Sequence, residues 1–146
     1  MLHTIRVFGY NCNRTKQKMY TKLGFKMAEK VIYKIVPMDD WQQSLSQETL
    51  PLSEIDRKDG FIHFSTKAQV QKTLNKFFDG QTGLFLLEID TEALPAETTA
   101  QLKWEKNTPE GDTYPHLYGD LPMQNVGNVY PIYPLPEGGF DIPELD

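Results

Sequence analysis

A histidine and a serine hydroxyl lie together in the segment DGFIHFST at residues 59–66. Side chains alternate along an extended strand, so Phe61, His63 and Ser65 share one face while the intervening apolar residues share the other. Imidazole nitrogens and a hydroxyl can hold or transfer protons, so one face of this strand can carry chemistry. The alternative is a partly buried core histidine whose ring bonds to the backbone.

Two later segments supply the other groups that such a site requires. Glu105 ends the segment LKWE at 102–105, and His116 and Tyr118 lie in the segment YPHLYG at 114–119. A carboxylate can stabilise a developing positive charge, and a second imidazole can act as a base. Structural roles also stay open, because Glu105 can pair with a neighbouring lysine, and the other two side chains can hold loop backbone.

An α+β pattern positions these groups. The β-branched run at 31–36, the almost wholly apolar run at 84–89 and the segment 126–133 predict strands, the second of them central and buried on both faces. Val70 and Leu74 begin an apolar stripe with helical spacing, which predicts a helix packed against the sheet.

The composition indicates one domain with a single core. The chain has 146 residues, of which 39% are hydrophobic, and no apolar run is long enough to cross a bilayer. Its single cysteine, Cys12, excludes an internal disulfide and the usual multi-cysteine zinc sites. We therefore expect a soluble cytoplasmic protein with no membrane partner; the sequence does not determine its oligomeric state.

Charge divides the chain into unlike parts. Residues 1–30 hold seven Lys or Arg and one Glu, a charge of +6, whereas the remainder holds eight basic and nineteen acidic residues, a charge of −11. An acidic domain repels phosphate backbones, so we expect no general nucleic-acid binding by it.

This charge pattern predicts a disordered basic arm or leader over 1–29, a folded domain over 30–135 and a flexible acidic tail over 136–146. A basic arm nearly free of acids also fits a mitochondrial presequence, which is the alternative to the cytoplasm.

Several motifs in order resemble the DUF952 family, an uncharacterised family, over about residues 30–135. They are IYKI at 32–35, Trp41, DGFIHFST at 59–66, LLEID at 86–90, LKWE at 102–105 and PHLYG at 115–119. The family is similar in fold to the ADP-ribosyltransferase superfamily. The resemblance implies an α+β fold with an ADP-ribosyltransferase-like split, mostly antiparallel sheet and short helices packed against it.

The resemblance also implies a nucleotide-binding cleft that cleaves NAD+ or transfers ADP-ribose. Cleavage of the nicotinamide–ribose bond builds oxocarbenium character on the sugar, which a nearby carboxylate stabilises. The residues expected to be catalytic are Glu105, His63 and His116. Those expected to contact the nucleotide are Tyr33, Lys34, Ser65 and Tyr118. NAD+ would then be a substrate, and no tightly bound cofactor or metal is expected.

Two departures from active transferases favour a different function, a non-catalytic module that binds a nucleotide or ADP-ribose. Lys34 stands where many of those enzymes carry a histidine or arginine, and Lys103 stands in place of the first acid of a Glu-x-Glu pair. Arg57 is the only arginine from residue 30 onward, so an RNA 2′-phosphotransferase, with its several arginines, is not expected.

A third function is metal-assisted hydrolysis with His63, His116 and Glu105 as ligands. No His-x-His or His-Glu-x-x-His spacing accompanies these residues, so we rank this function behind the other two.

Overall fold

Residues 29–145 are the part of the chain that this computed structural model describes, and they fold with α+β architecture. The basic arm predicted over 1–29 lies outside the described residues except for Glu29. The strands are β1 Val31–Pro37, β2 Ile62–His63, β3 Leu84–Asp90, β4 Leu102–Lys106, β5 Thr113–Leu117, β6 Val126–Pro134 and β7 Phe140–Asp141. The α-helices are α1 Met38–Ser44, α2 Glu54–Asp59, α3 Val70–Phe77 and α4 Ala96–Gln101.

These strands form two antiparallel sheets, the larger in the order β1-β3-β6-β7 and the smaller in the order β2-β5-β4. The sheets meet where Tyr33 of β1 and Ser65 exchange two backbone hydrogen bonds of 2.8 Å. The smaller sheet places the hairpin of β4 and β5, which residues 107–112 connect, beside β2, which is far from both in the sequence.

Strand β3 lies between two strands and is buried on both faces, as its apolar run predicts. Leu84 and Leu86 pack into one hydrophobic cluster, whereas Leu87 and Ile89 pack into the other. Burial of such side chains is the main favourable term in folding, so this strand organises the core.

The smaller sheet turns one face to the core and the other outward. Ile62 and Leu117 are buried in the core, and Trp104 packs against them. Because side chains alternate along a strand, His63 and His116 lie on the opposite face. The residues that can carry chemistry thus share the face of the smaller sheet that points away from the core.

The structure differs from the sequence-based expectation in the tail. Gly138 and Gly139 adopt positive φ angles in a turn that brings the chain back to pair as β7. Phe140 and Leu145 are then buried in the core cluster that contains Leu86. The Gln71 side chain also bonds to the N–H and the carbonyl of Phe140, so both apolar packing and hydrogen bonds hold the acidic tail. Within residues 29–145, no helix has the length and hydropathy needed to cross a membrane.

Replacing Leu87 with alanine should lower the free energy of unfolding by about 3 kcal/mol, because its side chain is 0% exposed and the truncation leaves a cavity. Leu45→Ala is the matched control, since Leu45 is 65% exposed and should change stability by less than about 0.5 kcal/mol. Urea denaturation followed by circular dichroism measures both. Equal losses in the two variants would contradict the central position of β3.

Candidate functional site

Strand pairing brings the two imidazoles together. His63 of β2 lies directly opposite His116 of β5, and their ring centroids are 5.6 Å apart. On the other side of β5, Lys103 of β4 lies opposite His116. Glu105, two residues further along β4, therefore shares the same face and lies diagonal to that histidine. The β4–β5 hairpin and β2, which is distant from it in the sequence, thus form one polar face.

Glu105 is held by two hydrogen-bond donors. Its Oε1 accepts a bond from the Tyr118 hydroxyl at 2.7 Å and lies 3.0 Å from Nδ1 of His116. The hydrogen bond from Tyr118 is the largest cause that lowers the pKa of Glu105, and the bond from His116 is the next. The bond between Tyr118 and Glu105 also raises the pKa of Tyr118. The Glu105 side chain is 39% exposed. It is therefore an ionised carboxylate that solvent can reach.

His116 is neutral near pH 7, because burial lowers the pKa of its ring although the bond to Glu105 acts in the opposite direction. A neutral ring carries one proton, and the carboxylate places that proton on Nδ1. Nε2 then has a free lone pair, and it is buried without a hydrogen-bond partner among the described residues. A carboxylate behind an imidazole with a free nitrogen is the arrangement of a general base.

The ring of Phe61 covers both imidazoles. Its centroid lies 4.1 Å from that of His116 in a stacked arrangement, 4.5 Å from that of His63 and 5.1 Å from that of Tyr118. Phe61 follows Gly60, which ends α2 with a φ of 85°. The aromatic ring therefore shields His116 from solvent at a position next to a glycine turn.

The buried carboxylate of Asp56 fixes His63 from the protein interior. Its Oδ1 accepts a bond from the His63 backbone N–H at 3.2 Å and lies 2.7 Å from the ring Nδ1. Its Oδ2 lies 2.9 Å from Nζ of Lys34 and accepts a bond from the Ser53 N–H at 3.4 Å. Burial alone would raise the pKa of Asp56, but the His63 bond and the charge of Lys34 lower it to about 2. Burial lowers the pKa of Lys34, although the Asp56 carboxylate acts to raise it.

The local sequence explains why Asp56 occupies this position. Ser53 begins α2 with a reciprocal capping box, in which its Oγ accepts a bond from the Asp56 N–H at 3.2 Å. Gly60 ends the helix by donating its N–H to the Asp56 carbonyl at 2.9 Å. The short helix therefore places the Asp56 carboxylate beside β2, the strand that follows the helix.

A second carboxylate contacts the other ring nitrogen of His63. Oδ2 of Asp59 lies 3.0 Å from Nε2, and this aspartate side chain is 37% exposed. The ring of His63 therefore lies between two carboxylates, with Oδ1 of Asp56 at Nδ1 and Oδ2 of Asp59 at Nε2.

An open cavity of about 320 Å³ adjoins this cluster where β2 begins and β5 ends. Phe61 and Tyr118 line the cavity and also belong to the cluster. Arg57 and Asp120 add one charge of each sign to its wall. Its volume is at the small end of ligand pockets, which begin at roughly 300 Å³. The cavity can hold one ring-sized part of a ligand.

Four of the residues predicted from the sequence meet on this face, namely Glu105, His63, His116 and Tyr118. The other three are covered by protein. Tyr33 is 1% exposed in a hydrophobic cluster, Lys34 is 6% exposed and paired with Asp56, and Ser65 is 3% exposed with its Oγ 3.0 Å from that of Thr73. In this conformation these three side chains therefore offer no exposed surface for the contacts with a nucleotide that the sequence predicts.

The sequence-based prediction missed Asp56, Asp59 and the covering role of Phe61. A signal was present, because Ser53 followed three residues later by an acid, with Gly60 beyond, is the pattern of a short capped helix. Such a helix would have placed a carboxylate beside the strand that it precedes.

No group of three or more His, Cys, Asp or Glu side chains between residues 29 and 145 is arranged to hold a metal ion. The ring nitrogens of His63 face carboxylates, and Nδ1 of His116 faces Glu105. The arrangement therefore gives no support to the metal-assisted alternative.

The model of a family described as a protein of unknown function, DUF952, matches residues 35–129. The chain belongs to the DUF952 family. The matched range of this DUF952 protein includes the cluster from Asp56 to Tyr118 and leaves Tyr33 and Lys34 outside. The match to the family model thus includes the residues of the polar face and Asp56, whose carboxylate supports that face.

Solved structures of protein CC0527 from Caulobacter crescentus are similar to the DUF952 chain. The crystal structure has a TM-score of 0.66 at 32% identity and covers 76% of this chain and 93% of that one. The solution NMR structure has a TM-score of 0.64 at 34% identity and covers 76% and 91%. Comparison with curated proteins finds no significant match. Family and fold are thus established, and the activity must be argued from the site.

Replacing Asp56 with asparagine should lower the free energy of unfolding by about 3 kcal/mol at pH 7, because Lys34 would stay buried without its counter-charge. The pKa of this carboxyl lies near 2 in the folded protein against an ordinary 3.8. Its contribution is therefore present above about pH 4 and is lost as the pH falls toward 2. Urea denaturation at several pH values should show the difference between variant and wild type shrinking over that range. Asp112→Asn, at an exposed position, should behave as wild type.

Replacing Tyr118 with phenylalanine should raise the pKa of Glu105 toward its ordinary value, because the variant lacks the donor that contributes most to lowering it. Carbon-13 NMR titration of the glutamate carboxyls measures this change. Tyr133→Phe, at a side chain that is 62% exposed, is the control and should leave the titration unchanged. An unshifted Glu105 in the Tyr118 variant would show that the hydroxyl does not bond to it in solution.

Proposed function

We propose that this DUF952 protein cleaves the nicotinamide–ribose bond of NAD+ and passes the ADP-ribosyl group to water or to another hydroxyl. The observation that carries the proposal is Glu105, an ionised carboxylate fixed by His116 and by Tyr118, and Tyr118 in turn lines the cavity together with Phe61. Two antiparallel sheets with short helices support an ADP-ribosyltransferase-like split fold.

Bond breaking is the step in which Glu105 acts. The pair of electrons in the bond between the ribose C1′ and the nicotinamide N1 leaves with nicotinamide, and the ribose gains positive charge. A fixed negative charge beside the sugar is attracted more strongly to this transition state than to the intact substrate. Oε1 of Glu105 is already bonded to two donors, whereas Oε2 has no bonding partner among the described residues. Oε2 is therefore the oxygen available to face the sugar.

Bond formation at C1′ requires a base. The acceptor oxygen bonds to C1′ and releases its proton, which His116 can take on Nε2 once Phe61 has moved from the ring. The lowered pKa of Glu105 makes this carboxylate a weak base, so we assign the proton to His116. The two residues thus divide the roles, with the carboxylate stabilising the cation and the imidazole removing the proton.

Aromatic side chains provide the binding surface. Phe61 and Tyr118 line the cavity, and flat rings such as nicotinamide or adenine stack on such side chains. A cavity of about 320 Å³ holds one end of a dinucleotide. The other end would lie on the exposed surface around it.

The second candidate is a non-catalytic module that binds a nucleotide or ADP-ribose. The observation in its favour is that His116 is only 3% exposed beneath Phe61, so the base is covered in this conformation. Binding through the aromatic cavity needs neither His116 nor a movement of Phe61.

Incubation with NAD+ and chromatography of free nicotinamide tests the enzyme. We expect release by the wild type, a loss of roughly 100-fold or more in Glu105→Gln because the charge at the cation is removed, and wild-type rates in Glu110→Gln, an exposed control in the loop after β4.

Calorimetry with ADP-ribose on the same samples separates the two candidates. Binding without nicotinamide release, also when a cell extract supplies acceptors, would favour the non-catalytic module. If the protein neither binds ADP-ribose nor releases nicotinamide, both functions are contradicted.

A further inference from the structure

The two carboxylates on His63 differ in how firmly they are held. The Asp56 side chain is 0% exposed and contacts Lys34 and two backbone N–H groups besides the ring. The Asp59 side chain is 37% exposed, and its contact with Nε2 is its only hydrogen bond or ion pair within the described part of the chain. Asp56 is therefore a fixed partner and Asp59 is an exchangeable one.

We infer that the Nε2 side of His63 is an oxyanion subsite, which the carboxylate of Asp59 occupies here and which a diphosphate oxygen of the substrate takes over. This inference deepens the proposed function and depends on it for the identity of the ligand. Its physical basis is that the exchange replaces one anionic oxygen by another at the same ring nitrogen, which Asp59 Oδ2 now approaches to 3.0 Å.

Displacement of Asp59 is inexpensive for the protein. An exposed ion pair contributes little to stability, because water solvates both groups when they separate. Asp59 is the last residue of α2, directly before the left-handed Gly60, so its side chain can turn to solvent while the helix stays in place. The Asp56 bond to Nδ1 meanwhile keeps the ring orientation fixed.

The surrounding charges select the kind of anion. Arg57 in the cavity wall and Lys103 on the polar face are basic, whereas Glu105 and Asp120 are acidic. A doubly charged terminal phosphate would be repelled by these acids, while each phosphate of a diphosphate bridge carries a single charge. A bridging diphosphate, as in ADP-ribose, therefore suits the subsite better than inorganic diphosphate.

The position of the subsite also fits a ligand with a ring at one end. The His63 ring is 4.5 Å from Phe61, and Phe61 lines the cavity. A ligand whose ring enters the cavity would bring its attached phosphates toward Nε2.

The Asp59→Ala variant tests the subsite by calorimetry with ADP-ribose. Removing the internal competitor should tighten the Kd for ADP-ribose by roughly three- to tenfold, because a larger fraction of the protein is competent to bind. Adenosine, which lacks phosphate, should show no such gain. Asp79→Ala, at an exposed position after α3, is the control and should bind ADP-ribose as the wild type does. An unchanged or weaker affinity in Asp59→Ala would overturn the inference, as would an equal gain for adenosine.

A wild-type measurement keeps the inference testable if Asp59→Ala does not fold. Nitrogen-15 NMR of the His63 ring, assigned with His63→Gln, should show Nε2 shifting more than Nδ1 when ADP-ribose is added. Bound ADP-ribose with an unmoved Nε2, absence of any binding, or inorganic diphosphate bound as tightly as ADP-ribose would each contradict the inference.

Failure of the subsite and failure of the enzyme can be told apart. Tightening in Asp59→Ala without nicotinamide release would support the subsite and remove NAD+ cleavage. Nicotinamide release by the wild type, with an unchanged affinity for ADP-ribose in Asp59→Ala, would support NAD+ cleavage and overturn the subsite.

Discussion

A charge in the protein interior requires partners, and the carboxylate of Asp56 has four of them. It contacts Lys34 from β1, the N–H of Ser53 at the start of α2, and both the backbone and the ring of His63 in β2. Removing any partner would leave a buried polar group or charge unpaired in a medium of low dielectric. This requirement fixes three elements relative to one another and sets the orientation of the His63 ring.

The polar face combines this fixed support with groups that solvent can reach. His63 is oriented from the interior by Asp56 and stands opposite His116, whose Nδ1 bonds to Glu105 near the surface. Phe61 contacts both imidazoles and lines the cavity. A rigid interior with an exposed carboxylate is what binding or catalysis requires, because reactive groups must keep their geometry while a ligand enters.

Local patterns predicted a substantial part of this arrangement. Alternation along the strands placed His63 and Glu105 on faces opposite their apolar neighbours, and the apolar run of β3 predicted its burial on both faces. Alternation could not show that Tyr33, Lys34 and Ser65 are covered. Exposure depends on which elements pack over a residue, and those elements are distant in the sequence.

The sequence by itself determined which residues can face together within each strand, because the two-residue period of a strand is a local property of the backbone. Only the tertiary structure decided that β2 is the neighbour of the β4–β5 hairpin, so that His63 meets His116 and Glu105. It also decided that Lys34, which the sequence predicted to contact the nucleotide, forms a buried ion pair with Asp56. The pairing of β2 with β5 and the buried pair of Lys34 and Asp56 join segments that are far apart in the sequence, so they are set by long-range packing and no local spacing encodes them.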